Sequence, residues 1–281
     1  MNVGIIIDNH PRSRRIGDAL LAGAKYMGWV PTIINMIEES LHPDLVVGYG
    51  WCHRPTFEHY RAKGSKYIYI DLGYWNRKLY RSDYNGFHKC VLNNRHPTKY
   101  FRKRKRDSRR VTQDAPTIQP WSSTAKGKHI ILAGMSAKGA SSLGLPPMEW
   151  ERRTVDKLRR VTKRNIIYRP KPSWRGFTPI DGTYLSLDPQ PILDILHNAH
   201  ALVTYYSNAS FDALAAGVPI HTVEGPAKVA SLGCIEDVED IGNYKRIDRQ
   251  QLFNDISYCH FTKDEIASGR MFSQFVQDGL L

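Results

Sequence analysis

Residues 198–225, NAHALVTYYSNASFDALAAGVPIHTVEG, decide how the chain is read. Ala201–Thr204 is an apolar run of strand length, and Phe211–Ala216 repeats small and apolar residues at helical spacing. Ser207, Asn208 and Ser210 lie between them. Their side chains suit a helix start, where backbone N–H groups lack partners inside the helix and favour a phosphate. Gly217 stands where a helix ends in the left-handed conformation, and Pro219 blocks its continuation. Strand, polar turn, helix and a further strand make one step of a parallel α/β architecture.

The same rhythm extends upstream. His129–Gly134 reads as a strand, Trp150–Thr162 as a basic helix, Asn165–Tyr168 as a strand and Pro191–Asn198 as a short helix. Near the N-terminus, Val3–Asp8 is a strand, and Ile16, Leu20, Leu21, Ala24 and Met27 recur at helical spacing. Strands follow at Thr32–Met36 and Leu45–Tyr49, then a helix over Arg54–Lys63 and a strand over Tyr67–Asp71. This order predicts two Rossmann-like domains, each a parallel sheet with crossover helices. Residues 113–126, with Pro116 and Pro120 among Ser and Thr, read as the linker. Helical patterns recur over Arg249–Tyr258 and Lys263–Phe275.

The 281 residues suffice for two cores, and 41% hydrophobic content is ordinary for a globular chain. The charge is not ordinary: 40 Lys and Arg against 27 Asp and Glu give +13, an excess that attracts polyanions. Nucleic acid, an anionic membrane and an acidic glycan all satisfy it. No apolar stretch is long enough to span a bilayer, the N-terminus reads as a strand and not a signal peptide, and the four cysteines form no CxxC pair. A cytoplasmic location is therefore expected.

Between the halves, residues 95–110 carry Arg95, Lys99, Arg102, Lys103, Arg104, Lys105, Arg106, Arg109 and Arg110 around a single acid, Asp107. Like charges repel, so this run is not expected to form a compact element unaided. Lys99 and Arg102–Arg106, with Tyr100 and Phe101 interleaved, are candidates to contact successive phosphates.

In open α/β sheets ligands bind beyond the carboxyl ends of strands. Arg169 and Lys171, separated by Pro170, follow the strand at Asn165–Tyr168 and form a candidate diphosphate clamp together with Ser207, Asn208 and Ser210. Gly134–Gly139 lacks the spacing and terminal Lys-Ser/Thr of a P-loop, leaving Ser136 and Lys138 as further phosphate candidates. In the first half, Asp71 ends a strand and is placed to act as a general base. Asp8 is its rival, and His53 is a possible assistant. Tyr74 and Trp75 follow Asp71 and are candidates to stack on an extruded base. His197 and His200 lack a third ligand, and no Asp-x-Asp motif occurs, so no essential metal is expected.

The stretch 198–225 resembles the donor-binding region of GT-B glycosyltransferases, in which a Ser-containing turn, a small-residue helix and Gly-x-Pro lead to a strand. The resemblance implies two Rossmann-like domains facing across a cleft, with the C-terminal helix crossing back to the first. The expected boundaries are 1–122 for an acceptor-binding domain, 123–260 for a nucleotide-sugar domain and 261–281 for the returning helix. It further implies a UDP-sugar donor, with Glu224 near the ribose. KYIYIDLGYWNR (residues 66–77) is similar to the strand-plus-Asp of the phage DNA β-glucosyltransferases, whose corresponding acid is the catalytic base. The tail SYCHFTKDEIASGRMF (residues 257–272) resembles the C-terminal helix of related phage proteins. These resemblances imply transfer of glucose from UDP-glucose to a hydroxymethylated pyrimidine, such as 5-hydroxymethylcytosine, in double-stranded DNA. Two alternatives stand beside that expectation: transfer to a cell-envelope glycan or lipid-linked sugar, and nucleic-acid binding without turnover.

Overall fold

The computed structural model describes residues 1–77, 85–110, 115–122, 127–187, 190–244 and 246–281. The chain divides into two compact units, Met1–Ala115 with Gln251–Leu281, and Pro116–Gln250.

The first unit opens with β1 (Asn2–Ile6), α1 (Pro11–Tyr26), β2 (Val30–Ile34), β3 (Leu45–Tyr49), α2 (Arg54–Ala62), β4 (Lys66–Leu72) and β5 (His88–Leu92). Strand side chains alternate between faces. Val3, Ile5, Leu45, Val47, Ile68 and Ile70 pack on Ile16, Leu20 and Ala24 of α1. Ile6, Val46, Tyr67 and Tyr69 pack on Phe57 and Tyr60 of α2. Each such fully buried aliphatic side chain contributes about 1.5–3 kcal/mol. Pro11 suits the first turn of α1, and the His10 ring accepts the Arg12 N–H at 3.2 Å.

The second unit contains β6 (His129–Ala133), α3 (Ala137–Ser141), α4 (Glu149–Val161), β7 (Asn165–Arg169), β8 (Tyr184–Leu185), α5 (Ile192–Leu196), β9 (Ala199–Thr204), α6 (Ala209–Ala215) and β10 (Ile220–Thr222). Its sheet has the order β10-β9-β6-β7-β8, with every pairing parallel. Gly217 adopts φ +78° behind α6, as its position in the sequence requires.

The chain ends with α7 (Arg249–Ser257), β11 (His260–Phe261), α8 (Lys263–Ala267) and α9 (Arg270–Gln277). The first unit's sheet has the order β11-β5-β4-β3-β1-β2, with β5 antiparallel to β4 and β11 antiparallel to β5. This corrects the expectation of a wholly parallel sheet. The single helical pattern over Lys263–Phe275 is also divided, because Gly269 takes φ +75° between α8 and α9. No helix among the described residues is long and apolar enough to cross a membrane.

Buried histidines make the fold acid-sensitive, and burial holds His96 and His260 well below the ordinary value. Burial lowers His88 of β5 and His221 of β10 to about 4. Both states of the protein hold these rings neutral above the ordinary value of about 6.5. As pH falls from there toward 4, the unfolded chain takes up protons that the folded chain refuses, so stability is lost. The loss approaches about 3 kcal/mol per ring at order of magnitude. Urea unfolding at pH 7.5 and pH 5 should show part of this loss, and His221→Leu should reduce it; an unchanged pH slope in that variant would remove His221 as a cause.

Candidate functional site

In the second unit the all-parallel sheet brings the loops after β6, β7, β9 and β10 to one edge. Ser136, Arg169, Lys171, Ser207, Asn208, Ser210 and Glu224 all lie at or just beyond the carboxyl ends of these strands. Lys171 and Glu224 are exposed. Arg169 is not placed as expected. It is buried, donating from Nη1 to Ser186 Oγ at 2.9 Å and from Nη2 to the Gln190 carbonyl at 2.6 Å. A guanidinium committed to pinning this segment cannot form the expected diphosphate clamp with Lys171 unless those bonds break.

The hydroxyls at this edge have internal partners too. Ser136 caps α3, its Oγ accepting the Gly139 N–H at 3.2 Å. Ser207 Oγ accepts the Ala209 N–H at 3.2 Å, and the buried Ser210 donates its hydroxyl to the Ser207 carbonyl at 2.8 Å. The N–H groups of Ser210 and Phe211 reach the carbonyls of Ser207 and Asn208. The opening of α6 is therefore largely satisfied without an anion.

The sequence reading missed Glu151. This acid of α4 is buried and accepts the Met135 N–H at 2.6 Å through Oε1, while Oε2 has no partner. Burial pushes its carboxyl up, and the Met135 amide offsets only part of that. The helical stripe Glu151, Thr154, Val155 and Leu158 turns inward, so periodicity alone was the available signal.

In the first unit the carboxyl ends of β1, β3 and β4 are neighbours. Asp71 is half-buried at the end of β4. Its Oδ1 accepts the Leu72 N–H at 2.8 Å, and its Oδ2 accepts the Tyr69 hydroxyl. Lys89 stands opposite Asp71 on β5, its Nζ 5.2 Å from the centre of the Tyr69 ring. Burial and then the Asp71 charge raise the phenols of Tyr49 and Tyr69, which keeps both protonated. Arg12 donates to the Tyr49 hydroxyl at 3.1 Å.

Asp8 and His53, weighed separately in the sequence, meet here: His53 Nε2 lies 3.0 Å from Asp8 Oδ2. Burial alone would raise the Asp8 carboxyl, but the His10 amide, Ser13 and His53 together hold it below its usual range. His53 is raised, first by its hydrogen bond with Cys52 and also by Asp8, against the opposing effect of burial. Adjacency of β1 and β3 produces the pair, and sequence order does not reveal that adjacency.

Two expectations for a nucleic-acid surface need correction. Tyr74 and Trp75 are buried against His260, at ring-centroid distances of 5.9 and 4.4 Å, and Trp75 also meets Phe253. They form core beneath β11 and cannot stack on an extruded base as placed. The basic run is compact and tied to the C-terminal helices. Arg102 pairs with Asp255 at 3.1 Å, Arg106 with Asp278 at 2.5 Å and Arg104 with Asp278 at 3.8 Å. Arg110 pairs with Glu265 at 2.8 Å. Lys99, Lys103 and Lys105 remain exposed.

No protein-family model and no curated relative matches the chain. Two solved modules from Thermosulfurimonas dismutans KpsC resemble it in structure. The beta Kdo 2,7 transferase gives a TM-score of 0.58 at 12% identity, covering 98% of this chain and 100% of that one. The beta Kdo 2,4 transferase gives 0.52 at 14% identity, covering 91% and 90%. The fold is GT-B-like. At such identities the likeness extends to architecture and not to chemistry. Within that fold, the seven candidate donor residues share one sheet edge of the second unit, and Asp71, Asp8 and His53 share the equivalent edge of the first.

Proposed function

We propose that the chain is a glycosyltransferase that takes a nucleotide-sugar donor and transfers the sugar to an anionic glycan of the cell-envelope class. The observation that carries this reading is the near full-length GT-B-like architecture held in common with two sugar transferases. The net charge of +13 supports an acidic acceptor. The second unit would receive the donor, with Lys171 and the exposed Lys138 countering charge that develops on the leaving nucleotide and Glu224 facing the ribose. The first unit would supply the base, Asp71, for the acceptor hydroxyl.

A second reading keeps UDP-glucose as donor and hydroxymethylated DNA as acceptor. The exposed Lys99, Lys103 and Lys105 favour it. The burial of Tyr74 and Trp75, and the pairing of Arg102, Arg104 and Arg106 with acids, weigh against it.

Melting curves with a panel of UDP-, CMP- and GDP-sugars should reveal one donor that stabilises the protein saturably. Transfer from that donor to acidic oligosaccharides and to hydroxymethylated duplex DNA, compared at matched salt, then separates the acceptors. Product on the oligosaccharide alone is expected. Product on DNA alone supports the second reading, and a panel with neither stabilisation nor transfer refutes both.

A further inference from the structure

The loops that follow β1 and β3 converge because these strands are adjacent and parallel, with Ile6 beside Gly48 at their carboxyl ends. Asp8 lies two residues beyond β1, while Cys52 and His53 occupy the short 3-10 turn Trp51–His53 between β3 and α2. Gly50, at φ +97°, turns the chain so closely that a Cβ there would sit 3.2 Å from Cys52 Sγ. One ligand atom from each of Asp8, Cys52 and His53 lies within 4.8 Å of the other two.

We propose that Asp8, Cys52 and His53 bind a late divalent ion of the zinc or cobalt type, leaving one coordination position open. Bonds of about 2.0–2.3 Å to nitrogen, oxygen and sulfur place tetrahedral ligands about 3.3–3.8 Å apart. The His53–Asp8 separation of 3.0 Å and the 4.8 Å limit on the trio need shifts of no more than about 1 Å to match this. The donor chemistry selects the metal. A thiolate, an imidazole and a carboxylate suit zinc or cobalt, whereas magnesium and calcium prefer oxygen donors throughout. Thiolate and carboxylate together also balance the charge of a divalent ion.

The carboxylate is already held for this role. Asp8 Oδ1 accepts the His10 N–H at 2.8 Å, leaving Oδ2 directed at His53, and the Asp8 N–H is tied to Ser13 Oγ at 3.1 Å. Such outer contacts orient ligands and raise affinity. The guanidinium of Arg12 is turned to Tyr49, donating to its hydroxyl and lying 5.8 Å from its ring centre. Three protein ligands with a partly exposed face allow water or a substrate oxygen to complete the sphere. On binding, the ion displaces the thiol proton of Cys52 to solvent; His53 keeps one ring proton, on the nitrogen that does not face the ion, and loses a proton to solvent only if it starts as imidazolium.

The inference stands apart from the glycosyl-transfer reading, since its measurement is metal uptake. The full chain is stripped with chelator and titrated with Co²⁺ and Zn²⁺. One equivalent of Co²⁺ should bind and give near-ultraviolet thiolate-to-cobalt charge transfer. That band should vanish in Cys52→Ser and persist in Cys234→Ser, whose exposed thiol bonds Asp237 instead. Zn²⁺ affinity should fall at least about 10-fold in Cys52→Ser, His53→Ala and Asp8→Asn. Alkylation of Cys52 in the unmodified chain, slowed by one equivalent of Zn²⁺, gives the same answer should a variant misfold. Absence of the band, its survival in Cys52→Ser, or alkylation unaffected by Zn²⁺ overturns the proposal and leaves a hydrogen-bonded Asp8–His53–Cys52 group without a metal.

Discussion

Arg110→Ala is expected to unfold the C-terminal segment of the first unit well below the melting temperature of the parent. The Arg110 side chain is 5% exposed and makes a two-pronged contact with Glu265, Nη1 to Oε1 at 2.8 Å and Nη2 to Oε2 at 3.2 Å. It also donates to the carbonyls of His260 at 2.8 Å and Ser257 at 3.3 Å, and lies 4.5 Å from the centre of the Phe261 ring. Among the described residues, truncation would leave Glu265 with its rim partner Arg270 and its cap bond to the Thr262 N–H. It would also strip two carbonyls of their donor in a place water does not reach. Removing one partner of a buried pair costs about 3–5 kcal/mol, and hydrogen exchange should report the loss over residues 251–281. Arg109→Ala is the control, because Arg109 is exposed and pairs with the exposed Asp107. Equal melting of the two variants would show that Arg110 contributes no more than a surface cation.

The ties from the basic run to the C-terminal helices are not visible in the sequence, for a physical reason. Within residues 95–110 the only acid is Asp107, so local charge counting predicts repulsion. The compensating acids, Asp255, Glu265 and Asp278, lie about 150 residues or more further on. No short-range pattern links them. Asp255 alone accepts from Arg102 Nε, the Arg106 N–H and Gln251 Nε2. The aromatic pair Tyr74–Trp75 failed for a similar reason, since the ring that covers both is His260.

What the sequence did reveal was local and periodic. The strands read at 45–49 and 165–168, the helix from Arg54 and the glycine stop at Gly217 follow from apolar runs, spacing and backbone preference, none of which needs a distant partner. β5 escaped notice because HKCVL is buried at every position and carries His88 and Lys89, so it shows neither alternation nor a purely apolar run. β11 is two residues long, too short for any pattern. The candidate sites divide along the same line. Position at a strand's carboxyl end was readable, but whether Arg169 faced a ligand or its own Ser186 was not.

Asp71→Asn should lower turnover by about 10²–10⁴-fold while leaving donor-induced stabilisation intact. The substitution is nearly isosteric. The amide oxygen can still accept the Leu72 N–H, and the amide nitrogen can donate to the Tyr69 oxygen in place of the bond the carboxylate now receives. The fold around β4 therefore survives, and what disappears is the capacity to take a proton from an attacking hydroxyl. Asp71→Glu keeps the charge and therefore probes the position of the carboxylate. In that variant turnover should fall by less, because the acid remains but its oxygen advances by one methylene. Asp8→Asn measured alongside identifies the rival base. If, in chelator-stripped protein, Asp71→Asn keeps near-parental turnover and Asp8→Asn abolishes it, the proton goes to the Asp8–His53 pair, and the base sits at the end of β1 instead of β4.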